Sequence, residues 1–193
     1  MDWRVYKAIY DVSLDHHWIG TLFSDVEKAS IPFMVVATAA LWLLARPGGN
    51  RKWKLAAGSA FVSAAVALLV NLVIHSLWDR PRPYEEHRLS HPWSGATDAS
   101  FPSDHASASL AIAFAVLMFD PIAGAVLLVA AVLIAAGRLF IGAHYPADIG
   151  GSVLVAAASA LLVVRVARPL IAFLVRLVER VTDPILRPIW RRA

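Results

Sequence analysis

Five stretches of the chain, 29–45, 55–78, 105–119, 121–137 and 149–164, are strongly apolar and carry no Asp, Glu, Lys or Arg. A helix that crosses a bilayer needs about 20 such residues, within a range near 17–25. The run 55–78 passes easily, 29–45 and 121–137 sit at the lower limit, and 105–119 and 149–164 are shorter. A short apolar run is also what a buried core helix of a soluble protein looks like. Five of them in 193 residues predict instead an all-α, polytopic membrane bundle of about five transmembrane helices.

Outside these runs the period changes meaning. Ile19, Leu22, Phe23 and Val26 recur at i, i+3, i+4 and i+7, which gives the segment before the first run one apolar face. Arg176, Glu179, Arg180 and Asp183 repeat that spacing on the polar side of the tail. Both ends therefore read as amphipathic helices at headgroup level, although a helix that docks a partner has the same pattern. One domain results: an interfacial segment over 1–28, a transmembrane core over 29–164, and an amphipathic tail over 165–193 with no linker or internal repeat.

Composition strengthens the membrane reading. Hydrophobic residues make up 59% of the chain, against roughly 45–50% in soluble domains. The chain has no cysteine, which removes disulfides, thiolate metal sites and a cysteine nucleophile. The first twelve residues include Asp2, Arg4, Lys7 and Asp11 and lack the unbroken apolar core of a signal peptide.

The net charge of +4 matters less than its distribution. Arg46, Arg51, Lys52 and Lys54 follow the first run, and seven arginines occupy the tail from Arg165 onward. The positive-inside rule assigns both regions to the cytoplasm. Five crossings then leave the N-terminus outside and the C-terminus inside. The inner segments hold 11 Lys/Arg and 3 acids, and the outer ones hold 7 and 11.

This topology gathers Arg80, Arg82, His105, Arg138, His144 and Asp148 on one outer face, at helix ends, where ionisable groups are costly and mark function. Three arginines with few acids nearby call for an anion, and the guanidinium fork matches phosphate oxygens. Two helix starts point the same way: Ser103 or Asp104 is a candidate N-cap for the third run, and Pro146 fits the first turn of the fifth. Free backbone amides at such starts bind anions.

Two histidines supply acid–base and nucleophilic chemistry. An attacking imidazole needs its far nitrogen held in one tautomer, and Asp148, four residues after His144, can fold back one turn to do so. Two His and an Asp also suggest a metal, but the neighbouring arginines repel a cation and no further outer carboxylate has helical spacing to them.

Pro102-Ser103-Asp104-His105, then Gly137-Arg138 with His144 and Asp148 at the following intervals, and Arg82-Pro83 before both, resemble the three blocks of the type 2 phosphatidic acid phosphatase superfamily: K-x6-R-P, P-S-G-H and S-R-x5-H-x3-D. The blocks run from about residue 75 to 148. The sequence departs from them in three places. His75 stands where the family has lysine, with Arg80 the candidate substitute; Gly137 replaces a serine; and Asp104 replaces a glycine. The Asp104 variant, the Arg-Pro-Arg-Pro run and the short length resemble the bacitracin-resistance type of undecaprenyl-diphosphatase.

The resemblance implies that His144 attacks phosphorus to form a phosphohistidine, that Asp148 orients it, and that His105 protonates the leaving oxygen. Arg82, Arg138, Ser103 and amides near Asp104 would hold the phosphoryl oxygens, with no metal or other cofactor. It further implies hydrolysis of undecaprenyl diphosphate to undecaprenyl phosphate at the outer face of a bacterial plasma membrane, with a polyprenyl diphosphate lipid and the bilayer as partners and no nucleic acid. The alternatives are another lipid phosphate (phosphatidic acid, phosphatidylglycerol phosphate or a prenyl-phospho-sugar) and, in another class, a non-catalytic lipid binder or transporter. The polar loop 84–99, with His87, His91 and Trp93, is a candidate either to gate substrate or to shape head-group preference.

Overall fold

A computed structural model describes residues 2–90 and 93–190; His91 lies outside the described residues. In chain order the helices are α1 (Asp2–Asp15), α2 (His17–Leu44), α3 (Lys52–Leu77), the single turn α4 (Pro83–Glu86), α5 (Asp104–Leu117), α6 (Pro121–Phe140), α7 (Pro146–Leu161) and α8 (Arg168–Trp190). A π turn, Leu162–Val166, joins the last two. No strand occurs among the described residues.

Among the described residues, four helical stretches are long and apolar enough to cross a membrane: His17–Leu44, Lys52–Leu77, Pro121–Phe140 and Pro146–Val166. The protein is thus an all-helical membrane bundle. Its outward side chains are apolar: Val36, Leu69, Leu72, Ile122, Val126 and Leu154 are all exposed. A soluble fold would bury them; here they face lipid.

α5 is the exception in length. Its 14 residues span only about 21 Å, against a hydrocarbon core of about 30 Å. It can be short because it is enclosed: α2, α3, α6 and α7 all pack against it, and ten of its residues are buried. The contacts are made by small side chains, including Ala60, Ala67, Ala106, Ala111, Ala131 and Ala156. Small residues let helix backbones approach where no hydrophobic effect drives association. Gly124 marks the closest approach: a Cβ there would lie 2.2 Å from the Cα of Leu117. The α5–α6 turn is fixed by Asp120, whose carboxylate accepts from the amides of Ile122 and Ala123, an N-cap ahead of Pro121.

The N-terminal segment differs from expectation. Residues 17–28 do not form a separate interfacial piece; they are the first turns of α2, continuous with the apolar run at 29–45. Part of the apolar face of Ile19–Val26 packs in the bundle, where Val26 joins the core and Phe23 stacks on Phe140 at 4.7 Å, while Leu22 stays exposed. The separate N-terminal helix is α1, anchored by Tyr6 and Tyr10 in an aromatic cluster with Tyr145. At the other end, α8 docks on α3 through Ile171 and Val175.

Candidate active site

The site lies at the end of the bundle where α3 finishes and α5 and α7 begin. Its central residue, His144, is 2% exposed and sits in the turn between α6 and α7. Gly142 makes that turn possible. It has φ +75°, and a Cβ there would meet the Tyr10 ring at 2.6 Å. The left-handed conformation is cheap only for glycine. It lets the amide of Ala143 return to the carbonyl of Arg138 at 3.0 Å, which brings His144 back over the end of α6.

The hydrogen bonds fix the imidazole's tautomer. Nδ1 is 2.7 Å from the carbonyl oxygen of Ser100. A carbonyl only accepts, so Nδ1 carries the proton. Nε2 faces Arg82 Nη1 at 3.3 Å and Arg138 Nη2 at 3.1 Å. A guanidinium only donates, so Nε2 presents its lone pair. Burial, with Arg138 and Arg82 adding to it against the pull of Asp148, pushes the His144 pKa down to about 4. The ring is neutral at physiological pH.

Asp148 holds this arrangement at one remove. Its Oδ2 is 3.8 Å from His144 Nδ1, beyond hydrogen-bond range. That oxygen accepts from Ser100 Oγ at 2.6 Å and from the Tyr145 amide at 2.8 Å. The expected one-turn fold-back from Asp148 to His144 is therefore replaced by a path through Ser100. Its Oγ meets the carboxylate while its carbonyl meets the ring.

Arg82 is fully engaged. Its Nη1 donates to the Ala143 carbonyl, and its Nε and Nη2 donate to the Asp98 carbonyl and carboxylate, each at 2.9 Å. Burial alone would push the Asp98 carboxyl up; Arg82 outweighs that and holds it below the usual range. Arg138, also buried, forms an ion pair with Glu27 of α2. Its Nε is buried without a hydrogen-bond partner among the described residues, as is Ser103 Oγ. Buried donors left open cost stability unless a ligand fills them, and both belong to the residues expected to hold phosphoryl oxygens.

The remaining expected residues are distributed around this centre. His105, in the first turn of α5, lies within electrostatic reach of Asp104, Arg82 and Asp98. Ser103 is the N-cap of α5 by position, but its hydroxyl makes no capping bond. Asp104 accepts from Asn71 Nδ2 at 2.7 Å. His75 Nε2 is 3.1 Å from the Pro102 carbonyl, beside the α5 start. Arg80 does not join the other arginines at His144. It donates to Asp148 Oδ1 at 2.5 Å and to Asp2 at 2.8 Å, and lies over the Tyr145 ring.

Three carboxylates were thus missing from the sequence reading of arginines with few acids nearby: Glu27, Asp98 and Asp2. Asp98 carried a signal, since it precedes the Pro102–His105 block by only four residues. Glu27 carried a weaker one, as an acid flanking an apolar run. Nothing in the sequence pattern marked Asp2. Among the described residues, no group of three or more His, Asp or Glu is arranged to hold a metal ion.

A family model described as the PAP2 superfamily matches residues 56–171, which contain the three blocks. The chain belongs to the PAP2 superfamily. Within this phosphatase family it is similar to undecaprenyl-diphosphatase BcrC of Bacillus subtilis (strain 168), with 29% identity over 188 residues, 96% of this chain and 95% of that protein. Two solved structures align with it. The crystal structure of Aquifex aeolicus LpxE gives a TM-score of 0.68 at 18% identity, covering 85% of this chain and 94% of that one. The phosphatidylglycerolphosphate phosphatase of Bacillus subtilis gives 0.61 at 18%, covering 83% of each chain. At that identity the two structures speak for the fold alone. Glu27 and Asp2 fall outside the matched PAP2 span, whereas Asp98 and Ser100 fall inside it.

Proposed function

We propose that this PAP2 phosphatase hydrolyses undecaprenyl diphosphate to undecaprenyl phosphate and inorganic phosphate through a phosphohistidine on His144, with the site on the extracytoplasmic face of a bacterial plasma membrane. The observation that carries the chemistry is the tautomer. The His144 Nε2 lone pair points between two guanidinium groups, while Nδ1–H is held by the Ser100 carbonyl.

In the first step Nε2 attacks the terminal phosphorus. The N–P bond forms as the P–O bond to the bridging oxygen breaks, and His105 gives that oxygen its proton. Positive charge on the imidazole is met by Asp148 through Ser100. In the second step water attacks phosphorus, loses its proton to His105, and the N–P bond breaks to release inorganic phosphate. Arg138 Nε, Ser103 Oγ and the amides at the start of α5 supply the donors for the phosphoryl oxygens. Fixed donors of this kind stabilise developing charge without reorganisation, which is how phosphoryl transfer is chiefly accelerated.

The substrate choice rests on the likeness to BcrC, which extends over nearly the whole chain. The charge separation along the sequence supports the orientation. A panel of undecaprenyl diphosphate, phosphatidic acid, phosphatidylglycerol phosphate and a prenyl-phospho-sugar, assayed for phosphate release in detergent, tests the reading. The diphosphate is expected to have the highest kcat/KM; a preference for a glycerolipid contradicts it. His144→Ala is expected to release no phosphate, whereas a transporter or binder would keep its function.

A further inference from the structure

At the end of the bundle opposite His144, the structure assigns a binding site for an anionic phospholipid, formed where α2, α3 and α8 meet. The two ends are well separated. His75 of α3 touches the active-site loop, whereas Lys52–Lys54 start the same helix, 26 residues long and so about 39 Å in length.

The first observation is a groove of about 420 Å³ between these helices, lined by apolar side chains and Thr182. Ala39, Leu43, Phe61, Leu174 and Val178 form its walls. Exposed Leu170, Phe173, Leu177 and Val181 on α8 surround it with apolar surface, so it opens to lipid tails.

The second observation is what lies next to the groove. Three residues after Leu43, just past the end of α2, stands Arg46, and a little over one turn beyond Thr182 on α8 stands Arg187. With Pro47 and Trp190 they line a neighbouring cavity of about 450 Å³. The Arg46 guanidinium lies 5.7 Å from the centre of the Trp190 ring. A tryptophan-edged basic pocket at the end of an apolar groove matches one amphiphile: an acyl chain in the groove and a phosphate on the two guanidinium groups.

The third observation selects an anionic head group over a zwitterionic one. The three described carboxylates at this end are already taken. Asp120 pairs with Lys52, Glu179 with Arg51 and Lys54, and Asp183 with buried Lys54. Arg46, Arg176, Arg180 and Arg187 have no carboxylate partner among the described residues. No free carboxylate is left for the cationic group of a choline lipid, the Trp190 ring that could take it already faces the Arg46 guanidinium, and four arginines await an anion. The Lys54 pairs also fasten α8 to α3, so the groove is a fixed feature of the bundle.

Native mass spectrometry of the full chain in detergent, titrated with phosphatidylglycerol or phosphatidylcholine, tests this. The protein is expected to retain phosphatidylglycerol in preference. Arg46→Gln with Arg187→Gln should weaken that retention about 30-fold, with phosphate release from the substrate unchanged. Arg176→Gln with Arg180→Gln, exposed cations at the same end that do not line the pocket, should leave it intact. Ala39→Phe keeps every charge and fills the groove, so it too should lose the lipid. Equal retention of both lipids, or equal loss in the two arginine pairs, overturns the assignment, the second by reducing it to general attraction to anionic surface. Retention by Ala39→Phe removes the groove from it.

Discussion

His144 Nδ1 lies 2.7 Å from the carbonyl oxygen of Ser100, closer than to any carboxylate. The His144 tautomer is therefore set by a backbone group, and Asp148 acts on it through the Ser100 side chain and through the Tyr145 amide. Arg80 closes the assembly from behind. It binds Asp148 through its guanidinium and receives the Ser100 amide on its own carbonyl at 2.8 Å. The segment that holds the histidine is thus clamped on both sides.

Ser100→Ala keeps the carbonyl that holds His144 and removes the hydroxyl that reaches Asp148. One hydrogen bond of about 1.4 kcal/mol corresponds to about a tenfold fall in kcat, with KM little changed, because phosphate contacts are untouched. Asp148→Asn should cost more, since it also weakens the anchor of Arg80. Steady-state kinetics on both variants measures the difference; equal, negligible effects would detach Asp148 from the nucleophile.

Glu27 and Arg138 form a second testable pair. Removing one member of a buried ion pair leaves an uncompensated charge and costs on the order of 3–5 kcal/mol. Glu27→Ala is therefore expected to lower both thermal stability and kcat/KM sharply, and Glu27→Gln to do so less. Asp25→Asn, at an exposed pair with Lys28 on the same helix, should change neither. A thermal-shift series with parallel activity assays decides this.

Much of this site was legible in the sequence, and the reason is local. Each block is a short local motif, and the topology drawn from the charge distribution put His105, Arg138, His144 and Asp148 at helix ends on one face. The apolar runs anticipated α3, α6 and α7 within a few residues. The parts that were hidden depend on packing or on backbone. Ser100 holds the ring through a carbonyl that every residue carries, and no spacing tied its hydroxyl to Asp148, 48 positions away. Glu27 reaches Arg138 only because α2 continues upward past the apolar run and packs on α6. Asp2 accepts from Arg80 and from the amide of Ala147, which lies 145 positions away in sequence.

Gly142→Ala should be among the most damaging small substitutions. It strains a φ of +75° and drives a methyl into the Tyr10 ring. The expected result is loss of phosphate release together with loss of thermal stability, because the same turn carries His144 and anchors α1. Gly95→Ala, where a Cβ meets nothing within 4 Å, is the control that should be silent.

Burial depresses the His144 pKa from 6.5 to about 4, which has consequences for pH. The unfolded chain takes up a proton on this histidine below about pH 6.5, while the folded chain stays neutral until about pH 4. Stability is therefore full above the unfolded value and falls as pH drops through this window, by an amount on the order of 3 kcal/mol. Chemical denaturation in detergent at pH 7.5, 6 and 5 should show the decline, and His144→Gln should flatten it. Nucleophilic competence persists through the same window, so an acid limb of kcat/KM near pH 6 must come from another group.

The account turns on Nε2 of His144 becoming bonded to phosphorus. Acid-labile phosphohistidine can be trapped by rapid alkaline quenching after mixing the enzyme with undecaprenyl diphosphate labelled at the terminal phosphate, then located by peptide mapping. One labelled residue is expected, His144, carrying the phosphoryl group on Nε2, with no label in His144→Ala. No trapped label under turnover, or label on any residue other than His144, would contradict it.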